Sequence, residues 1–260
     1  MGIFKKYNTY PKRFVLFLTF TALFSCGSHK VHNDRIEGKK IGITSQYSNN
    51  PEIENFIAPY RTHIDKDLDS VLSYCPETMD KSKGSRWQTT IGNLLAETTF
   101  NAADKLFYTR ENKHVDICLL NHGGIRAIIP KGDVTARTAY NVMPFENSLV
   151  IVGLKGEQIK EMAEYMIREG KPHPLDGMTI VIDSNNTIKS VLVQNKPLDL
   201  SKTYYVATSD YLYNGGDSMF FFQKALSYFE ADYKLRNILI DYFKTTDTLP
   251  VITTERIIIQ

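Results

Sequence analysis

A chain of 260 residues with 42% apolar content is long enough to bury one substantial core, with room for a subdomain. Its formal charge of +2 falls slightly below zero once four cations near the N-terminus are set aside, so no basic surplus points to nucleic acid. No stretch after the N-terminal region is apolar and long enough to span a bilayer as a helix.

Those four cations, Lys5, Lys6, Lys12 and Arg13, precede an apolar run over 14–24. A charged leader followed by a short apolar run is the pattern of an export signal, and the run is too short for a stable span. It ends at Leu23-Phe24-Ser25-Cys26, which is similar to a bacterial lipobox, with Phe24 bulkier than is usual at its position. A short core helix is the alternative; the missing acids and the following Gly27-Ser28 speak against it. The expected organisation is a lipoprotein signal peptide over 1–25, a polar tether over 26–50 and one domain over 51–260. Cleavage before Cys26 and lipidation there would make an exported lipoprotein of the cell envelope, on the periplasmic side or in the outer membrane. Within the tether, 40–44 can form a short strand.

Asn50-Pro51-Glu52 is a helix start: a cap residue, proline at the first position and an early acid. Ile53, Phe56, Ile57, Tyr60, Ile64 and Leu68 then recur at helical spacing, with Pro59 expected to kink or interrupt the helix. Residues 71–75 read as a strand. Gly92-Asn93 opens a helix carrying Leu94, Leu95, Phe100, Ala103 and Leu106, and Trp87 just before it suits core packing. Residues 115–120 form an apolar run that reads as a buried strand, ending in Asn121-His122-Gly123-Gly124-Ile125-Arg126. Glycines there let the chain turn and let a ligand approach the main chain, between an amide and a fixed cation. An ordinary turn with a solvated arginine is the alternative.

Pro130-Lys131-Gly132-Asp133 is a turn signal, 135–141 a short helix and 149–152 a second buried strand. Residues 157–168 form an amphipathic helix with Ile159, Met162, Ala163, Met166 and Ile167 on one face and Gly170 at its C-terminal end. Residues 179–183 and 187–193 read as a hairpin, 204–208 as a strand, 233–243 as a last helix, and 251–259 as edge or closing strands. No internal repeat is visible. Intermingled strands, hairpins and helices favour an α/β fold of the α+β type, a mixed-sheet sandwich flanked by helices, over a doubly wound sheet. Cys118 is most simply a buried small hydrophobe, and a Cys75–Cys118 disulfide stays open.

Three stretches taken in order resemble the C-terminal, substrate-binding domain of the 5'-nucleotidase family, the UDP-sugar hydrolase and ecto-5'-nucleotidase group. They are Asn121-x-Gly-Gly-x-Arg126, then Met143-Pro144-Phe145, then Tyr211 six places before Asp217 of Gly215-Gly216-Asp217. No single motif is specific; the ordered set is, and the resemblance runs from about residue 51 to the C-terminus. It implies that Phe145 and Tyr211 clamp a base, the family usually having Phe at the second place. It implies that Asp217 accepts from ribose hydroxyls, that Asn121 meets the base edge, that Gly124 leaves room, and that Arg126 faces phosphate. Arg86 is the nearest match to a further substrate-facing arginine, although its spacing to Gly92 is about one residue short. His122 replaces a residue that is usually small. The chemistry suits these roles: aromatic rings stack on flat bases, and guanidinium forks match phosphate. For each residue the plain alternative is a packing ring, a turn acid or a surface ion pair.

Family members hydrolyse phosphate esters with two metal ions held in a separate N-terminal domain. His29, His32, His63, His114, His122 and His173 fall in no comparable ligand motif. No cofactor is expected in this chain, and divalent metals only in a partner domain. The expectation is therefore the nucleotide-binding half of a split 5'-nucleotidase, inactive alone and acting with a separate metallophosphoesterase chain. The alternatives are a solitary nucleoside- or nucleotide-binding lipoprotein without catalysis and an unrecognised hydrolase.

Overall fold

The computed structural model describes residues 10–23, 33, 35–82 and 84–260. Phe24, Ser25 and Cys26 of the lipobox lie outside the described residues. The chain divides into two compact units, residues 1–51 and 52–260. In the first, α1 (Tyr10–Leu23) covers most of the expected apolar run. No helix among the described residues is long and apolar enough to cross a membrane. The short strand expected over 40–44 does not form, and Ile41 and Ile43 are exposed. A lone extended segment has no neighbour to take its backbone hydrogen bonds.

The second unit opens within the first turn of α2 (Pro51–Leu68), which begins at the expected proline. The helix continues through Pro59, so of the expected kink or interruption the interruption does not occur. None of its residues is buried, so the carbonyl that Pro59 deprives of a partner can bond to water. Ion pairs from Arg137 to Asp65 (2.6 Å) and Asp69 (2.5 Å) tie it to the body.

The body follows in the order β1 (Val71–Cys75), α3 (Thr90–Glu111), β2 (Ile117–Leu119), β3 (Gly132–Thr135), α4 (Ala136–Val142), β4 (Ser148–Lys155) and α5 (Gly156–Glu169). Then come β5 (Leu175–Asp176), β6 (Met178–Ile182), β7 (Ile188–Val193), β8 (Lys196–Pro197), β9 (Thr203–Ser209), α6 (Asp210–Tyr213), β10 (Ser227–Lys234), α7 (Leu235–Thr245) and β11 (Ile257–Ile259). α3 starts two residues before the expected Gly92, because the Thr89 hydroxyl accepts from the Gly92 amide and caps the helix. The turn expected over 130–133 passes directly into β3, which pairs with β1. Residues 233 and 234, expected in the last helix, close β10 instead, where pairing with β4 overrides helical preference. Of the closing strands expected over 251–259, only β11 forms, parallel to β6.

The strands make a mixed five-stranded sheet, β10-β4-β9-β2-β5, a four-stranded sheet, β11-β6-β7-β8, and the β1-β3 pair. β4 shows why the larger sheet is central. Val150, Val152 and Leu154 join the core that contains α5 and the four-stranded sheet. Leu149 and Ile151 join the core under α3 and α7. Successive side chains point to opposite faces, so the sheet is buried on both. Ile159, Met162, Ala163 and Met166 of α5 are fully buried, and Gly170 ends that helix in the left-handed conformation. This is the mixed-sheet sandwich with flanking helices that the pattern implied.

Cys75 and Cys118 are buried free thiols in separate core clusters, so they are not joined as a disulfide. Burial pushes the Cys118 thiol well above its ordinary pKa. A thiol reagent at neutral pH should leave both unmodified in the folded protein and label both after guanidinium unfolding. Reductant should not change the mass.

Candidate functional site

Strand register brings the three motifs to one end of the five-stranded sheet. β4 and β9 run antiparallel with Leu149 opposite Ser209. The loop before β4 carries Phe145, and the turn after β9 carries Tyr211 and Asp217. β2 lies parallel to β9, with Cys118 opposite Ala207, so the 121–126 loop leaves in the same direction as α6.

Asp217 is the hub. Its Oδ2 accepts from Asn121 Nδ2 at 2.8 Å, and its Oδ1 accepts from the Tyr211 hydroxyl at 3.0 Å. The Tyr211 hydroxyl oxygen in turn lies 3.3 Å from the Asp217 amide, which donates to it. Tyr165 of α5, which the sequence reading did not single out, donates to the Asp217 carbonyl at 2.7 Å. Asp217 has φ 51° and follows Gly215 at φ 90°, a turn that L residues adopt only when neighbours hold them there. Gly216 is required for a different reason: a Cβ would sit 2.4 Å from a Tyr211 ring carbon. Hydrogen bonding to the carboxylate and burial both raise the Tyr211 pKa.

Phe145 is 49% exposed and Tyr211 43% exposed, so neither ring belongs to the hydrophobic interior. The Phe145 loop is pinned from behind by Arg236, a buried arginine of α7. Its Nη1 lies 3.4, 3.2 and 3.4 Å from the carbonyls of Met143, Pro144 and Phe145, its Nη2 pairs with Glu146, and its guanidinium stacks 4.1 Å over Tyr140. Arg236 pulls the Glu146 carboxyl below its usual range. Nothing in the local sequence around Arg236 signals this role, because its partners lie about ninety residues away.

Arg126 is exposed and lies 5.9 Å over the Phe145 ring. Asn121, Gly124, Phe145 and Pro174 line a cleft of about 20 Å³, too small to hold a heterocycle, so a flat ligand would lie over it. What stands against Gly124 is Asn121 itself, whose Oδ1 would be 2.8 Å from an added Cβ. Arg86 does not reach this hub in the hydrogen bonds described. It stacks 4.6 Å over buried Trp87 and points toward Gly170. A far roomier groove, about 590 Å³, lies between α3 and α7, lined by Leu106, Arg110, Tyr233 and Tyr242 and by none of the motif residues.

His122 and His173 meet behind the loop. The His122 amide donates to His173 Nδ1 at 3.2 Å, and His122 Nδ1 lies 3.3 Å from the Pro172 carbonyl. Burial lowers the pKa of His173 to about 4, with Asp217 opposing the shift. Among the described residues, no three His, Cys, Asp or Glu side chains are grouped to hold a metal ion.

Since His173 is uncharged in the fold down to about pH 4 but takes a proton near pH 6.5 when unfolded, stability should fall as pH drops through that window. The slope from this group is at most about 1.4 kcal/mol per pH unit. Denaturant melts of the native protein and His173→Asn between pH 4.5 and 7.5 check it: the variant should lose that part of the slope. Separately, Gly216→Ala should displace Tyr211 and lower stability by about 1–3 kcal/mol.

Comparison with known proteins bears on the family and the fold. The profile of the 5'-nucleotidase C-terminal domain matches residues 69–224, more than half of the chain. The Yersinia enterocolitica protein UshA is 26% identical over 185 residues, covering 69% of this chain and 32% of that protein. Mouse 5'-nucleotidase is 29% identical over 151 residues, covering 49% of this chain and 26% of that protein. Among solved structures, the Thermus thermophilus 5'-nucleotidase precursor superposes with a TM-score of 0.66 at 24% identity, covering 79% of this chain and 42% of that one. The Haemophilus influenzae NAD nucleotidase gives 0.61 at 20% identity, covering 81% and 42%. The chain thus spans about a quarter to a third of the length of these curated relatives. With its fold, its ordered motifs and the profile in agreement, the chain belongs to the family of 5'-nucleotidase C-terminal domains.

Proposed function

We propose that this protein binds a 5'-nucleotide at the Asn121–Asp217 hub and presents it to a separately encoded two-metal phosphoesterase that releases the phosphate. One observation carries the reading: two half-exposed rings, Phe145 and Tyr211, stand on loops that each meet the 121–126 segment, Tyr211 through Asp217 and Asn121, and Phe145 against Arg126. The base would stack between those rings, and Asn121 can donate to and accept from its edge. Asp217 would exchange its present donors for the ribose hydroxyls. Arg126, close to Phe145, would meet the phosphate as a planar fork. This chain supplies binding and orientation; the partner's metal ions would supply the chemistry at phosphorus. Cleavage before Cys26 and lipidation there would hold the protein at the cell envelope.

Calorimetry with AMP and adenosine tests the binding step on the full chain. Phe145→Ala should weaken both ligands by about 1–3 kcal/mol, and equal heats for the two proteins would remove the stacking claim. Arg126→Ala should weaken AMP more than adenosine. Phosphate release from AMP should need the partner chain; turnover by this chain alone would overturn the accessory role. AMP binding that no phosphoesterase turns into phosphate release would instead favour a solitary nucleotide-binding lipoprotein. For the anchor, mass spectrometry should find the acyl groups on Cys26, and Cys26→Ala should move the protein to the soluble fraction.

A further inference from the structure

We infer that His173 is a positioning residue for ligand binding: its neutral imidazole holds the main chain of His122 and so sets where the Asn121 amide stands against Asp217. The inference rests on the nucleotide reading above and deepens it.

The geometry begins with the ring itself. His173 is 3% exposed, and its Nδ1 accepts the His122 N–H at 3.2 Å. An accepting Nδ1 carries no proton, so the neutral ring carries its hydrogen on Nε2. That Nε2 is buried and has no hydrogen-bond partner among the described residues. A buried donor left unpaired is costly. A phenyl ring would fill the space without the orphan donor, but it would leave the His122 amide unpaired. The structure keeps the imidazole where its acceptor is needed.

The hold on the loop has three points. The Leu120 amide donates to the Pro174 carbonyl at 2.9 Å, the His122 amide to His173, and the His122 ring lies against the Pro172 carbonyl. Asn121 stands between the two anchored amides, and its side chain reaches Asp217 at 2.8 Å. His173 also touches the other half of the hub. The Tyr165 ring packs on it with centroids 5.9 Å apart, and the Tyr165 hydroxyl donates to the Asp217 carbonyl. One side chain thus braces both loops that would contact ribose and base.

Protonation would place a second N–H on Nδ1, facing the His122 N–H, and the clasp would open. The charged and titratable groups around the ring are Asp217 and Glu169, which favour the proton, and Lys171 and His122, which oppose it. Tyr165, whose own pKa burial raises to about 12, stays neutral throughout. Burial dominates and keeps the ring uncharged near neutral pH.

The test uses the full chain, AMP as the probe, and His173→Asn and His173→Phe. An asparagine side-chain carbonyl can replace Nδ1 as acceptor; phenylalanine cannot. At pH 7.5, Asn should bind AMP within about threefold of native, and Phe should bind at least about tenfold more weakly, a split expected from losing one hydrogen-bond acceptor beneath the site. Between pH 7.5 and 5 the native protein and the Asn variant should respond to pH alike, because the ring stays uncharged down to about pH 4; a loss of affinity in the native protein that the Asn variant lacks would mean that the ring titrates there and would overturn the neutral clasp. Nitrogen-15 spectra of the native imidazole should show the proton on Nε2 at pH 7, and His122 amide exchange should quicken in Phe. Equal affinities for native and Phe, or a proton on Nδ1, would overturn the inference. If the native protein ignores AMP, the nucleotide reading fails on its own. The clasp is then decided by amide exchange, and an unchanged rate in Phe would sink it. Should Phe not fold, the native spectra and the Asn pH profile decide.

Discussion

The register between β4 and β9 is the constraint on which the rest of the structure depends. Their ladder runs from Leu149 opposite Ser209 to Lys155 opposite Thr203. A slip by one residue would turn Val150, Val152 and Leu154 to the other face and empty the core they share with α5. Two buried faces therefore lock the register. The locked register, in turn, decides that the chain before Leu149 and the chain after Ser209 leave the sheet at one edge. β2 adds the third loop by lying parallel to β9, so a candidate site arises from three segments without any of them being close in sequence.

Support behind that edge comes from groups that would not touch a ligand. Arg236 gathers three carbonyls and the Glu146 carboxylate behind Phe145. Tyr165 holds the Asp217 main chain, and His173 holds that of His122. A ring in a loop orders only at an entropic cost. Loops whose backbones are already bonded to buried side chains have met much of that cost before a ligand arrives. The exposed rings and the buried supports are thus two parts of one arrangement. The polar supports also explain why Asp217 can stay in a left-handed conformation.

The larger groove between α3 and α7 teaches a related point. At about 590 Å³ it exceeds the cleft beside Asn121, yet it gathers none of the motif residues. Size alone follows from how two helices splay over a sheet. A site for a flat, charged molecule depends instead on rings, donors and a cation held at an open edge, where little enclosed volume exists until the ligand is present.

Much of the fold was legible in the residues. α5 was readable because its apolar positions recur at helical spacing and Gly170 closes it. The β6–β7 hairpin was readable because a polar turn separates two apolar runs. The ordered Asn121, Phe145, Tyr211 and Asp217 motifs pointed to the family that the profile match then showed. Other features were beyond local pattern. β10 carries Glu230, Asp232 and Lys234 among its residues and becomes a strand because β4 offers it an edge. The apolar residues of α2 predicted a helix but not its exposure, and the cysteines left a bond open that separate cores exclude. By itself the sequence determined most of the helices, most of the strands and the identity of the candidate contacts, since periodicity and residue chemistry are local properties. Only the tertiary structure decided that the three loops share an edge, and that Arg236, Tyr165 and His173 stand behind them. Strand register and long-range hydrogen bonds depend on the whole core packing at once, and no short window of residues encodes that.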